Sequence, residues 1–268
     1  MAVASDVTLA SIRRWLAATP ASHRPLVVGI NGPQGVGKST LVGALVKQLP
    51  RSFAMSLDDF YLPNAEQRAL AERNGGNALL RYRGNAGTHS VDLLLDTLKA
   101  LKQQDGGAVR VPVYNKGAFN GMGDRRPRDE WPAVTLPLDV VLLEGWMLGF
   151  DALENDGDVH DPRLQPINKA LKDYRAVHEV LDAFVQLVLP DISLVYTFRL
   201  QAEREAERRT GHRGLNDEQV RDFIDGFMPA YKQYLGPLIA NPPTPHSLCV
   251  HLTADRQIHR VVHHDHPI

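Results

Sequence analysis

The chain has 268 residues, 43% of them hydrophobic, so it can bury one substantial core, and its length fits one domain with insertions. Its 30 Lys and Arg residues balance 31 Asp and Glu residues, which excludes bulk electrostatic attraction to nucleic acid or to an anionic membrane. The single cysteine, Cys249, excludes an intrachain disulfide framework, and no apolar run is long enough to cross a membrane. We therefore predict a cytoplasmic protein with one domain over residues 1–268 and no evident obligate protein partner.

The chain begins with a predicted amphipathic helix, because Leu9, Ile12 and Leu16 recur at helical spacing. Short apolar runs, separated by helical patterns, then predict five strands: LVVGI (26–30), FAMSL (53–57), DVVLLEG (139–145), ISLVYTF (192–198) and SLCVHL (247–252). Runs that are continuously apolar are typical of strands covered on both faces. The predicted fold class is therefore α/β, a parallel sheet with helices on both faces.

Local signals mark the helices between these strands. They are Leu41, Leu45 and Leu49 before Pro50, a capping box of Asn64 and Gln67, an N-cap at Ser90, and an apolar stripe from Ile167 to Phe184 that ends at Pro190. Two segments, about 104–138 and 151–166, fit no strand–helix unit, and we expect such insertions to wall a substrate pocket. The histidines of the C-terminus, His259, His263, His264 and His266, predict a frayed tail more readily than a metal site.

The loop after the first predicted strand matches the phosphate-binding pattern GxxxxGK[ST] through Gly32, Gly37, Lys38 and Ser39. Its glycines let backbone N–H groups curl around phosphate, Lys38 can reach the β- and γ-phosphates, and the Ser39 hydroxyl can ligate Mg²⁺. No [NT]KxD string specifies guanine, so ATP is the predicted nucleotide. The predicted binding residues are Gly32, Pro33, Gln34, Gly35, Val36, Gly37, Lys38, Ser39 and Thr40.

Acidic residues follow two other predicted strands. Asp58 and Asp59 come after the second strand and Glu144 ends the third, and ligands of open α/β sheets bind at this edge. An aspartate there can accept the proton of an attacking hydroxyl or help to hold Mg²⁺. Glu144 stands where a fold of this kind has its second acid, so we predict a metal role for it beside Ser39.

The segment at about 200–215 predicts a lid over the transferring phosphate, because arginines are concentrated there. Arg204 and Arg208 are four residues apart and so share a helix face. Glu203 and Glu207 interleave with them, and a solvated helix of salt bridges explains most of these charges equally well. The arginines of this region are Arg199, Arg204, Arg208, Arg209 and Arg213.

Seven segments in serial order resemble the D-glycerate 3-kinase family, within the P-loop kinases that include uridine kinase, phosphoribulokinase and pantothenate kinase. They are GINGPQGVGKSTL, SLDDFYL, RYRGNAGTHSVDLLLDTLKAL, VPVYNKGAFNGMGDR, DVVLLEGWMLGF, RLQAE and FMPAYKQYL. The resemblance implies a P-loop kinase fold and ATP- and Mg²⁺-dependent phosphorylation of a small hydroxyl compound, most simply D-glycerate. It also implies that Asp58 is the catalytic base and that Asp59 is its supporting acid and contacts the substrate, although the adjacent pair leaves that assignment open.

The acceptor pocket is also expected from the resemblance. Arg83, His89, Tyr114 and Lys116 fall where the group builds this pocket, and a hydroxy acid needs a cationic clamp for its carboxylate, for which Arg83, Lys116 and Arg125 are available. The family pattern Tyr-Asp-Lys reads Tyr114-Asn115-Lys116 here, so the acceptor stays an open question. Catalysis is assigned to Lys38, Asp58 and Arg204.

The sequence is also compatible with two functions other than a glycerate kinase. A uridine- or pantothenate-like kinase would share the phosphate chemistry and differ in its acceptor pocket. A nucleotide-driven regulator or metallocentre chaperone, suggested by the C-terminal histidines, would hydrolyse ATP and phosphorylate no small molecule.

Overall fold

The computed structural model describes residues 6–19, 24–211 and 215–265, so Arg213 and His266 lie outside the described residues. The helices are α1 (Asp6–Ala18), α2 (Lys38–Val46), α3 (Asn64–Arg73), α4 (Val91–Leu101), α5 (Gln165–Val180), α6 (Leu194–Thr210), α7 (Asp217–Asp225) and α8 (Met228–Ala240). The strands are β1 (Leu26–Asn31), β2 (Ser52–Ser56), β3 (Ala108–Arg110), β4 (Tyr114–Asn115), β5 (Asp124–Arg125), β6 (Ala133–Thr135), β7 (Val140–Gly145), β8 (Ala183–Val188), β9 (His246–Leu252) and β10 (Ile258–Asp265).

The main sheet has the strand order β2-β7-β1-β8-β9-β10. All neighbouring pairs are parallel except β9 and β10, which pair antiparallel. The segment predicted to be an insertion contains two small antiparallel ladders, β3 with β6 and β4 with β5. The sheet therefore confirms the predicted α/β class, with one antiparallel edge strand that the sequence reading did not include.

Helices cover both faces of the sheet, because side chains that alternate along a strand enter two different cores. Val141 and Leu143 of β7 pack in a cluster that includes α4, α5 and α8. Val140 and Leu142 of the same strand pack in a second cluster, with α1, α2, α6 and α7. Burial on both sides explains why β7 is apolar at consecutive positions, and the helices on both faces confirm the predicted layers.

Two predictions between residues 165 and 198 are wrong. The run 192–198 lies mostly in α6: Asp191 accepts a hydrogen bond from the Ser193 N–H beside the helix start, and Val195 and Phe198 are buried at helical spacing. The predicted long helix ends at Val180, and its last part is β8, a fully buried strand. A strand buried on both faces has no alternation to distinguish it from a helix, so periodicity assigned these segments incorrectly.

Three smaller predictions also need correction. The capping box at Asn64 is absent: Pro63 takes the N-cap position of α3, and the Asn64 side chain instead donates to the Gly123 carbonyl. Ser90 does occupy the N-cap position of α4 but makes no cap hydrogen bond. The C-terminal histidines up to His264 lie in β10 and not in a frayed tail, because pairing with β9 orders them. Among the described helices, none is long and apolar enough to span a membrane.

Candidate active site

The phosphate loop joins β1 to α2, as its glycine spacing predicts. Gly35 and Gly37 have φ values of +75° and +108°, which glycine adopts without strain, and Gly37 is the N-cap of α2. The first N–H groups of α2 therefore point from the helix into the loop, where an anion is favoured. A Cβ atom at Gly32 would lie 2.9 Å from the Leu187 Cβ of β8, so the loop and the sheet pack too closely for a side chain there.

Lys38 lies within the loop, and its ammonium donates to the Gly32 carbonyl at 2.7 Å and to the Pro33 carbonyl at 3.2 Å. Burial lowers the pKa of Lys38, while the negative charges of Glu144 and Asp58 act in the opposite direction. These three side chains therefore form one electrostatic group, although they come from three separate parts of the sequence.

Glu144 and Ser39 also meet at this edge. The Ser39 hydroxyl donates to Glu144 Oε1 at 2.7 Å, while Oε2 of the same carboxylate is buried and has no hydrogen-bond partner among the described residues. Parallel pairing sets Glu144 opposite Ser56 at the end of β2, which brings the acids of both strand ends to one place. A buried carboxylate oxygen with a spare lone pair is suited to a cation or to one of its bound waters.

Asp58 sits in a 3₁₀ turn, Leu57–Phe60, directly after β2. Its Oδ1 accepts a hydrogen bond from the Tyr61 hydroxyl at 2.9 Å, and its Oδ2 lies 2.5 Å from the Lys116 ammonium. Burial acts to raise the pKa of Asp58, but the Lys116 charge and the hydrogen bonds from Lys116 and Tyr61 outweigh burial, so the pKa is lowered. Asp58 is therefore an ionised carboxylate at the phosphate-loop edge.

Asp59 has a different environment from its neighbour. Its Oδ2 accepts the Ser56 backbone N–H at 3.3 Å in a capping box, and its Oδ1 accepts the Tyr114 N–H at 3.3 Å. Burial raises the pKa of Asp59, and these backbone donors offset part of that rise. Both oxygens are thus used to fix the turn and to attach the segment that begins at Tyr114, which gives Asp59 a structural place where the sequence suggested substrate contact.

The predicted pocket cations are engaged to different degrees. Arg83 donates from Nη1 to the carbonyls of Gly121 and Met122, at 2.9 and 2.5 Å, and its guanidinium also faces the Tyr61 and Tyr114 rings. Arg125 donates to the Tyr61 carbonyl and to the Ser90 hydroxyl, both at 2.7 Å. These two arginines hold the loops together, whereas the Lys116 side chain is 59% exposed and contacts a carboxylate.

His89 and Tyr114 are packed side chains of the same region. His89 is buried, its Nδ1 lies 2.6 Å from the Tyr174 hydroxyl, and its ring stacks on Tyr61 with centroids 4.5 Å apart. Burial lowers the pKa of His89 to about 4, although the Asp58 charge opposes this, so the ring is neutral near pH 7. Its Nε2 and the Tyr114 hydroxyl are both buried without a partner among the described residues, so either can still bond to a ligand.

The predicted lid arginines lie along α6. Arg204 is exposed, and its guanidinium lies 3.4 Å from both carboxylate oxygens of Asp217 in α7. Arg199 pairs with Glu203, in agreement with the salt-bridged helix that the sequence left as an alternative. The side chains of Arg204 and Arg208 are both exposed, so neither is fixed in place by burial.

Two tyrosines support the site through hydrogen bonds that the sequence did not predict. Tyr61 holds Asp58, and the Tyr231 hydroxyl accepts a hydrogen bond at 3.0 Å from the Gln34 N–H of the phosphate loop. Tyr61 follows the aspartates within SLDDFY, and Tyr231 lies in FMPAYKQYL, so both belong to segments that resemble the kinase family. Trp146 is part of the packing around Tyr231, with ring centroids 4.8 Å apart.

A parallel sheet, a phosphate loop between β1 and α2, and acids at the adjoining strand ends define the class of P-loop kinases. The chain is 46% identical over 228 residues to the chloroplastic D-glycerate 3-kinase of Arabidopsis thaliana, a match that covers 82% of this chain and half, 50%, of that relative's length. It is 37% identical to the uncharacterized kinase mug58 of Schizosaccharomyces pombe, over 97% of this chain and 99% of the relative.

Comparison with solved structures indicates the same relatives. The D-glycerate 3-kinase of Cryptococcus neoformans superimposes with a TM-score of 0.81 and 33% identity, over 95% of this chain and 96% of that one. No protein-family model matches the sequence. The chain belongs to the D-glycerate 3-kinase family, which confirms the resemblance drawn from its motifs.

Proposed function

We propose that this chain transfers the γ-phosphoryl group of ATP to a hydroxyl group of D-glycerate in the cytoplasm. The observation that supports the proposal most directly is the grouping of Lys38, Glu144 and Asp58, a cation and two acids whose charges act on one another beside the phosphate loop. Both the Arabidopsis and the Cryptococcus relatives are D-glycerate 3-kinases, which supports glycerate as the acceptor. A net charge of −1 fits a small acceptor better than a nucleic acid.

In the proposed reaction, the loop amides and Lys38 bind the triphosphate and compensate the charge that spreads over the transferring group. The acceptor hydroxyl attacks the γ-phosphorus, and its proton passes to Asp58 Oδ2. A new bond forms between the acceptor oxygen and phosphorus while the bond from phosphorus to the β,γ-bridging oxygen breaks, and ADP leaves. Arg204 is proposed to stabilise the transferring phosphoryl group from α6.

Ser39 and Glu144 are proposed to hold Mg²⁺ together with the nucleotide. The fit rests on the contact of their side chains at 2.7 Å and on the buried Glu144 Oε2, which no described residue contacts by a hydrogen bond. Oxygen donors are the ligands that Mg²⁺ prefers, and few protein ligands suffice when phosphate oxygens complete the shell. When bound, the ion neutralises phosphate charge and aligns the β- and γ-phosphates.

The proposed acceptor site lies between Asp58 and the segment 114–125. The Tyr114 hydroxyl and His89 Nε2 are buried polar atoms that have no partner in the described part of the chain, and Lys116 offers a positive charge for the carboxylate of a hydroxy acid. Asn115 is exposed, and its Oδ1 accepts the Gly117 N–H, so this departure from the family pattern lies in a turn. Glycerate therefore stays the proposed acceptor, although Asn115 replaces the aspartate of the family pattern.

An acceptor panel tests the proposal. Purified protein is incubated with ATP and Mg²⁺ and, separately, with D-glycerate, uridine, pantothenate or no acceptor, and the ADP and the phosphorylated product are measured. We expect stoichiometric ADP and phosphoglycerate with D-glycerate alone. Product from uridine or pantothenate but not from glycerate would refute the acceptor, and ADP formation that needs no acceptor would refute kinase function.

A further inference from the structure

The ion pair between Lys116 and Asp58 joins the proposed base to the proposed carboxylate clamp. The Lys116 ammonium lies 2.5 Å from Asp58 Oδ2, while the other carboxylate oxygen is taken by Tyr61. Each oxygen can accept a second hydrogen bond, so a hydroxyl can reach Asp58, but a carboxylate that is paired with an ammonium is a weaker base. Proton transfer to Asp58 is therefore favoured when one of the two donors leaves, and the buried Tyr61, stacked on His89, is held in place.

Lys116 is able to leave, because its backbone is fixed and its side chain is not. The Arg83 guanidinium anchors the loop through the carbonyls of Lys116, Gly121 and Met122. The ammonium itself extends from a flexible four-carbon stem that is 59% exposed. An ion pair that is open to solvent on its lysine side is weak, so a second carboxylate can compete for the ammonium.

The other cations of the pocket are less suited to such an exchange. Arg83 and Arg125 donate to backbone carbonyls, and Arg125 also donates to Ser90, so moving either would break part-buried hydrogen bonds that connect the loops. Of the three cations predicted for the carboxylate clamp, Lys116 is the one whose partner is the base itself.

We propose that the carboxylate of the acceptor takes the Lys116 ammonium from Asp58, so that one lysine both selects hydroxy acids and frees the base. The inference rests on the proposed function, because it assumes transfer to a hydroxy acid. An acceptor without a carboxylate leaves Lys116 on Asp58 and is a poor substrate even when its hydroxyl reaches the site. When a hydroxy acid binds, the hydroxyl proton goes to Asp58 Oδ2, the oxygen that Lys116 has left.

The test compares Lys116→Met with wild type, using D-glycerate and the neutral analogue glycerol as acceptors. We expect kcat/KM for glycerate to fall about 10- to 100-fold, the value of a lost charge-assisted hydrogen bond, while kcat/KM for glycerol is unchanged or higher. Lys116→Arg retains the charge and should keep the preference for glycerate. Lys99→Met, at an exposed lysine of α4, is the matched control and should behave as wild type.

The pH profiles provide a second readout. The acidic limb of kcat/KM reports the free enzyme and that of kcat reports the substrate complex. In wild type the acidic limb of kcat should lie at higher pH than that of kcat/KM, because the bound acceptor has removed the ammonium that lowers the pKa of Asp58. In Lys116→Met the acidic limbs of kcat and kcat/KM should coincide. The other titratable groups whose charges act at Asp58 are unchanged by the variant, namely Lys38, Asp59, Tyr61, His89, Tyr114 and Tyr231.

The outcomes separate the inference from the proposed function. If wild type does not phosphorylate D-glycerate, the proposed function itself is wrong. If wild type does so but Lys116→Met keeps the full preference for glycerate over glycerol, the exchange of Lys116 between carboxylates is refuted. The exchange is also refuted if Lys116→Met loses kcat/KM equally for both acceptors while the acidic limbs of its kcat and kcat/KM profiles stay separated. The KM for ATP should be unchanged in every variant, which monitors the integrity of the phosphate loop.

Discussion

Replacing Tyr61 by phenylalanine should weaken the proposed base while leaving ATP binding intact. The hydroxyl that donates to Asp58 Oδ1 at 2.9 Å is lost, but the ring and its stacking on His89 remain. A hydrogen bond to a charged group contributes about 1.5–3 kcal/mol, and a tenfold change in proton affinity corresponds to about 1.4 kcal/mol. Because the hydrogen bond stabilises the ionised carboxylate, its loss raises the pKa of Asp58.

The assay is the pH dependence of kcat with saturating ATP and D-glycerate. We expect the acidic limb of Tyr61→Phe to move up by about one pH unit, with a smaller loss of kcat on the plateau and an unchanged KM for ATP. Tyr82→Phe is the matched control, because Tyr82 is 40% exposed and the donors to the Asp58 carboxylate are Tyr61 and Lys116. An acidic limb that stays in place in Tyr61→Phe would refute the role of this hydroxyl in holding the base.

Three further predictions follow from the loop, the metal site and α6. Gly35→Ala should destabilise the fold by about 1–3 kcal/mol, because φ is +75° and the new Cβ would lie 2.6 Å from the Phe198 Cβ; a melting curve that matches wild type contradicts this. Glu144→Gln should raise the Mg²⁺ concentration for half-maximal rate about 10- to 100-fold at unchanged stability. Arg204→Ala should lower kcat about 100-fold, and equal losses in Arg208→Ala would show that Arg204 has no special role.

The phosphate loop and the strand-end acids could be located from the sequence because both depend on local signals. The glycine spacing and the flanking strand and helix specify the loop, and parallel strands bring their carboxyl ends to one edge. Lys38, Asp58 and Glu144 therefore lie together as predicted. Their catalytic and metal roles, the single-domain boundaries and the cytoplasmic location remain predictions.

The misassigned segment 165–198 shows where local signals fail. Residues 183–188 are buried throughout and continue the apolar spacing of α5, so nothing local separates strand from helix. Residues 192–198 are rich in apolar, aromatic and β-branched side chains, which favour a strand, but the turn at Asp191 and the packing of Phe198 against the phosphate loop favour a helix. Tertiary packing, which the single sequence does not display, determines both elements.

The different contacts that the pocket cations make also depend on residues far away in the sequence. Lys116 meets Asp58 across 58 positions of the chain, and Arg125 meets the Tyr61 carbonyl across 64. The sequence identified the residue types that a hydroxy acid requires, but it had no means to distinguish a cation bound to carbonyls from one bound to the base. That distinction separates Arg83 and Arg125 from Lys116.

The central claim is that Asp58 takes the proton of an alcohol held beside a triphosphate on the Lys38 loop. Single-turnover transfer to D-glycerate by Asp58→Asn, measured together with its dissociation constant for ATP, tests this claim most directly. We expect transfer to slow about 10²- to 10⁴-fold while ATP affinity stays within a few-fold of wild type. Transfer at the wild-type rate, or a loss that parallels a collapse of ATP binding, would contradict the account.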